Sequence, residues 1–107
     1  MSLLELIVSG LEDKKANDIT VIDFENRSSL CDAFVVCDAQ SLRQVNAIAQ
    51  DLENMIQKAG FEIKPQKNTP ESQWVVIDAV DVVVHIFQTE ERHRYHLEKL
   101  YQEFIRD

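Results

Sequence analysis

The chain switches between two hydrophobic rhythms. In residues 3 to about 15, Leu3, Ile7 and Leu11 recur at helical spacing with Leu4 and Leu6 beside them, which predicts a first helix. "DITVIDF" (18–24) follows as a strand, with Ile19, Val21 and Phe24 at its apolar positions. After the polar loop "ENRSSL", the run "AFVVCD" (33–38) has the continuous apolar pattern of a strand buried on both faces. The helical rhythm then returns in its clearest form. Ser41 suits an N-cap, Gln44 three residues later completes a capping box, and Val45, Ile48, Ala49, Leu52, Met55, Ile56 and Ala59 share one face. Leu52 is thereby placed in the core, and Gly60 supplies the left-handed conformation that stops a helix.

"FEIKP" (61–65) reads as a strand closed by Pro65, and "QKNTPESQ" as a polar connection. Residues 74–78 and 82–87 read as two strands joined by a tight turn through Ala79 and Val80. Thr89, followed by Glu90 and Glu91, opens a last helix striped by Leu97, Leu100, Tyr101 and Phe104. The order α-β-β-α-β-β-β-α predicts a single layered α/β domain over residues 1–107. Its mixed sheet has about five strands with flanking helices.

Composition narrows the function more than the fold. With 107 residues, 45 % apolar and 28 % charged, the chain is an ordinary globular one. No stretch approaches the ~20 apolar residues of a membrane-spanning helix. "MSLLELIVSGL" lacks a basic n-region and a small-residue cleavage site, so it reads as an amphipathic helix rather than a signal peptide. Cys31 and Cys37 form no CxxC pair, and are expected as reduced, partly buried thiols of a cytoplasmic protein. The net charge of −8, with only scattered Lys and Arg, argues against nucleic acid as the main source of affinity. A basic protein partner suits this field.

The stretch "WVVIDAVDVVVHIF" (74–87) holds the candidate chemistry. Asp78 and Asp81 have the makings of a paired-carboxylate site, but nucleotide chemistry also needs a cradle for phosphates. Gly10 and Gly60 are the only glycines, and neither lies in a predicted strand-to-helix loop. Aspartates beside a hairpin turn more often bond their own backbone. His85, in an apolar strand, reads as structural. His93 and His96 stand three apart on a predicted helix without HExxH or cysteine spacing, which suggests a solvated face and no metal. No serine sits in a nucleophile elbow, so no nucleophilic catalysis and no cofactor are expected. Trp74 suits either core packing or an interface hot spot. Arg43, in the first turn of the second helix, faces an unfavourable dipole and hints at a partner, with Asp38 as the candidate inside the fold.

Four segments in this order resemble the ribosomal silencing factor family, also called Iojap-related proteins. They are "KKANDITVIDF", "SLCDAFVVCDAQSLRQVNAIAQDLE", "WVVIDAVDVVVHIF" and "ERHRYHLEKLY", and the likeness runs from about Leu3 to Phe104. The resemblance implies a nucleotidyltransferase-like fold without a catalytic site. It implies binding to the large ribosomal subunit through its basic protein number fourteen. That binding would block joining of the small subunit and lower translation when nutrients are limited. Position by position, Trp74, Asp78, Asp81 and His85 fall in the family's hairpin motif, Arg43 and Gln44 in its helix opening, and Arg92, Tyr95 and Glu98 in its tail.

Trp74, Asp78, Asp81, Arg43, Gln44 and Arg92 are therefore expected to meet the partner, with His85, Leu52 and Tyr95 structural. Ala79, Val80, Ala33, Ala39 and Gln40 depart from the family's usual residues. Val80 in particular should resist positive φ and so change the turn type. Two readings from other classes stand beside this one. One is a cryptic nucleotide-dependent transferase using Asp78 and Asp81. The other is a general adaptor that forms a homodimer through the hairpin.

Overall fold

The computed structural model describes residues 2–106; Met1 and Asp107, the two ends of the expected domain, lie outside the described residues. Helix α1 spans Leu3–Asp13 and opens with a capping box that hydropathy alone did not reveal. The Glu5 N–H donates to Ser2 Oγ at 3.1 Å, and the Glu5 carboxylate accepts the Ser2 N–H at 3.0 Å, so two otherwise orphan donors are satisfied. It buries Leu3, Ile7, Gly10 and Leu11, then stops where Lys15 turns left-handed (φ 59) and the Ala16 N–H reaches the Leu11 carbonyl.

Strands β1 (Asn17–Asp23) and β2 (Ala33–Ala39) follow. Helix α2 spans Leu42–Lys58 and is capped by Ser41 and Gln44 in the predicted box. Val45, Ile48, Ala49, Leu52 and Ile56 form its buried face, while Ala59 has left the helix for solvent. Gly60, at φ +92, ends it. Strands β3 (Trp74–Asp78) and β4 (Val82–Gln88) form the hairpin, and the short helix α3 (Thr89–Tyr95) comes next.

The sheet order is β3-β4-β2-β1-β5, with β2 and β4 parallel and every other pair antiparallel. The sheet is therefore mixed and five-stranded, but its fifth strand is not the expected one. Ile105–Arg106 forms β5 by pairing with Val21 and Ile22. Residues 61–65 touch β3 through a single bridge, Lys64 to Asp78. Pro65 has no N–H to extend that pairing. The side chain of Asn68 takes the next place instead, donating to the Val76 carbonyl at 2.8 Å and accepting the Val76 N–H at 3.3 Å. An open strand edge is thus closed by one amide rather than by a strand.

The last helix also differs from the expected one. His96 adopts φ 51, ψ 47 and breaks it after seven residues, so His93 and His96 do not lie on one continuous helix face. A 3₁₀ segment, Leu97–Phe104, continues the chain with a second kink at Tyr101. Those breaks let Leu97, Tyr101 and Phe104 lie on the sheet while Leu100 turns out to solvent.

Two apolar layers result. On one face α1 and α2 cover Val35, Cys37, Val75, Ile77, Val84 and Ile86, with Leu52 fully buried among them. The α1–α2 approach is close: a Cβ on Gly10 would collide with the end of the Met55 side chain. On the other face Ile22, Phe24, Val36 and Phe87 are buried beneath the C-terminal segment and its neighbours, while Phe34, Trp74 and Val83 stay only partly covered. That second face carries the candidate site.

Candidate interaction surface

Alternation along β3 and β4 decides which residues of the hairpin can be reached. Val75 and Ile77 point into the helix-covered core, so Trp74, Val76 and Asp78 point to the other face, opposite Phe87, His85 and Val83. Trp74 is half-buried. Its ring stacks on Phe87 (4.7 Å between centroids) and meets Tyr95 at 5.1 Å. Its indole N–H donates to His85 Nδ1 at 3.0 Å, and His85 in turn meets Phe34 edge-on at 4.6 Å. An imidazole that accepts at Nδ1 is neutral with its proton on Nε2. Burial agrees, pushing the His85 pKa down to about 4. His85 is thus a buried strut beneath Trp74, and its Nε2 has no hydrogen-bond partner among the described residues. Tyr95 packs on Trp74 from outside and is 54 % exposed, which makes it part of the surface rather than of the interior.

The hairpin turn departs from expectation in its residues and its geometry. The chain reverses through Val80 and Asp81. Ala79 is buried on the helix-covered side, and its N–H donates to the Val82 carbonyl. Val80 takes φ 71 despite its branched Cβ, and the Asp81 N–H reaches back to the Ala79 carbonyl at 2.9 Å. That is a γ-turn of the rare positive-φ kind. Two contacts hold it. Asp78 Oδ1 accepts the Val80 N–H at 3.0 Å, and the Asp81 carbonyl accepts the Asp32 N–H at 2.7 Å. Asp78 is half-buried and Asp81 exposed, so their carboxylates sit at the tip with Asp32 beside them. Trp74 lies at the other end of β3, about 13 Å away at strand spacing.

The remaining expected contacts divide. Gln44 is spent on the α2 cap, and Arg43 stays exposed beside the cleft formed with Asn46, Asn68 and Pro70. Both belong to the helix side of the sheet, away from the hairpin acids. Arg92 must be corrected outright. It is 5 % exposed and lies inside the fold, where Nη1 donates to Asp38 Oδ2 (2.8 Å) and to the Asp18 carbonyl (2.7 Å). Its Nη2 donates to Thr20 Oγ1 and its Nε to Glu98 Oε1. Asp38, 3 % exposed, also accepts from the Thr89 hydroxyl at 2.8 Å. A buried charge needs a partner, and Asp38 takes Arg92 rather than Arg43. Asp38 and Asp32 were missed as site-forming residues. The available signal for Asp38 was an acid closing a fully apolar strand, which demands a cation from elsewhere.

Comparison with known proteins gives a consistent picture. A family model described as "Ribosomal silencing factor during starvation" matches residues 1–107. The chain is 41 % identical over 99 residues to the ribosomal silencing factor RsfS of Halalkalibacterium halodurans, covering 92 % of this chain and 85 % of that protein. A crystal structure of a Chromobacterium violaceum protein superposes with a TM-score of 0.85 at 35 % identity, covering 95 % of this chain and 88 % of the other. A more distant likeness, 28 % identical over 101 residues, is to mouse "Mitochondrial assembly of ribosomal large subunit protein 1"; it covers 92 % of this chain and 44 % of that protein.

Proposed function

This chain belongs to the ribosomal silencing factor family, and from that premise we propose that it silences ribosomes by docking on the large subunit. The hairpin face meets a basic protein of that subunit, protein number fourteen, and the bound factor blocks joining of the small subunit. One observation carries the choice of surface. Asp78 and Asp81 flank the hairpin tip, Asp78 half-buried on the side of the C-terminal segment and Asp81 exposed on the side of α1, so the tip is acidic from both sides. A net charge of −8 steers such a tip toward a basic protein. The mouse relative's name, which refers to the large ribosomal subunit, supports the choice of subunit.

The family is named for silencing rather than for a reaction, and we assign no catalysis to the two aspartates. One Asp78 oxygen is already engaged by the turn it caps, and Asp81 faces open solvent. The place of action on this reading is the cytoplasm.

The test is co-sedimentation with purified large subunits, paired with a subunit-joining assay. Asp78→Lys and Asp81→Lys should each weaken binding more than the Asn variants and should restore joining, because they add repulsion to a lost attraction. Folded lysine variants that bind like wild type would move the docking surface to another face. Sedimentation of the free protein separates a second copy on this face from the ribosomal partner.

A further inference from the structure

Beside the hairpin tip lies a groove of about 680 Å³. Phe24, Phe34 and Val83 line it, with Tyr101 and Phe104 from the covering segment, and Leu30 and Val80 are its two lips. The lips are apolar side chains held out toward solvent. Leu30 is 88 % exposed, in a loop that is nevertheless shaped, since its N–H donates to Ser28 Oγ at 3.1 Å. Val80, 37 % exposed, holds a branched side chain at φ 71. Backbone strain of this kind persists where its surroundings over-determine it, commonly at ligand clamps.

The groove's charge is uneven. Arg27 lies over the Phe104 ring, 5.6 Å from its centroid, and Lys64 lines the groove near Asp78. Against these two cations stands Asp78 in the groove itself, with Asp32 and Asp81 just beyond it, around the hairpin tip on the α1 side. All three act on Cys31 in the groove wall, whose thiol pKa is raised by burial and, against a lowering bond with the Ala33 backbone, raised further by their charges.

We infer that this groove seats an apolar side chain of the partner protein, with an adjacent Lys or Arg of the same segment held by Asp32, Asp78 and Asp81. The inference rests on the reading above that the partner is a basic protein of the large subunit, and it adds the anchor that exposed charges alone do not supply. Rim ion pairs contribute little affinity, whereas a desolvated apolar anchor at the centre of an interface dominates it.

The experiment titrates the full chain, as wild type, Leu30→Ser, Val80→Gly, Leu100→Ser and Asp81→Lys, onto purified large subunits and reads the apparent Kd. Leu30→Ser should weaken binding roughly fivefold or more. Val80→Gly should weaken binding while raising the melting temperature, a combination that a merely structural role does not produce. Leu100, exposed but outside the groove, is the control and should stay within about twofold on replacement by serine. Leu30→Ser and Val80→Gly at wild-type affinity would overturn the inference. If Asp81→Lys is weakened in that same series, the groove alone falls; if it too is unchanged, the acidic docking surface falls with it. Equal losses in Leu30→Ser and Leu100→Ser would also overturn it. So would a free dimer that Leu30→Ser dissolves without affecting subunit binding, because a second copy would then own the groove.

Discussion

Val80 and His85 show how much a single residue's surroundings can impose on it. A valine at φ 71 costs on the order of 1–3 kcal/mol, and it stays there because Asp78 and the Asp81–Asp32 contact clamp the turn on both sides. Glycine relieves that strain at an entropic cost of about 0.5–1 kcal/mol. Val80→Gly should therefore stabilise the fold by about 1 kcal/mol, seen as a rise of about 4 °C or more in thermal unfolding. A lowered melting temperature would mean that the Val80 side chain contributes packing that outweighs the strain.

His85 makes stability depend on pH in a predictable direction. Its folded pKa of about 4 lies below the ordinary 6.5, so the unfolded chain takes up a proton first as pH falls. Its contribution is fully present above pH 6.5 and is lost between there and about pH 4, a total of about 3 kcal/mol. Denaturant midpoints from pH 7.5 to 4 for wild type and His85→Gln should converge as pH falls, since glutamine does not titrate. Parallel curves would show that His85 is not the group responsible.

At the scale of elements, the buried charged group around Arg92 is what joins separate segments. Arg92 of α3 bonds Asp38 of β2, the Asp18 carbonyl and Thr20 hydroxyl of β1, and Glu98 of the 3₁₀ segment. Removing one partner of a buried ion pair strands the other. Arg92→Met should cost about 3–5 kcal/mol in chemical denaturation, far more than loss of an exposed arginine. Asp38→Asn made together with Arg92→Met should recover part of that loss, because the stranded charge is then gone. A double variant no more stable than the single one would indicate that the bonds from Arg92 to β1 matter more than its pairing with Asp38. The same element scale explains the missing strand: Asn68 closes the β3 edge, so residues 61–65 need only one bridge to it.

For the whole molecule the decisive quantity is charge. A protein of net charge −8 approaching an RNA-rich particle is repelled by phosphate and attracted by basic protein. Binding to large subunits should weaken with salt, but by less than about tenfold between 50 and 200 mM. A protein that displaces several phosphate counterions loses about 10³–10⁵ over that range. A slope of the steeper kind, measured by sedimentation across a salt series, would place the main contact on RNA.

What was legible in the sequence was local or periodic. The α2 face, its capping box, the doubly buried β2 and the β3–β4 hairpin follow from spacings and turn chemistry that act over a few residues, and the family motifs are local strings too. What only the tertiary structure decided depends on which distant segments meet. Ile105–Arg106 becomes a strand because β1 leaves an edge open beside it. His96 breaks a helix so that Leu97, Tyr101 and Phe104 can lie on the sheet. Arg92 turns inward because Asp38, 54 positions earlier, is buried and needs a cation. Val80 accepts positive φ because Asp32, across the hairpin tip, pins the turn. Each of these outcomes is a local preference overruled by a long-range bond, and no spacing within a few residues encodes that bond.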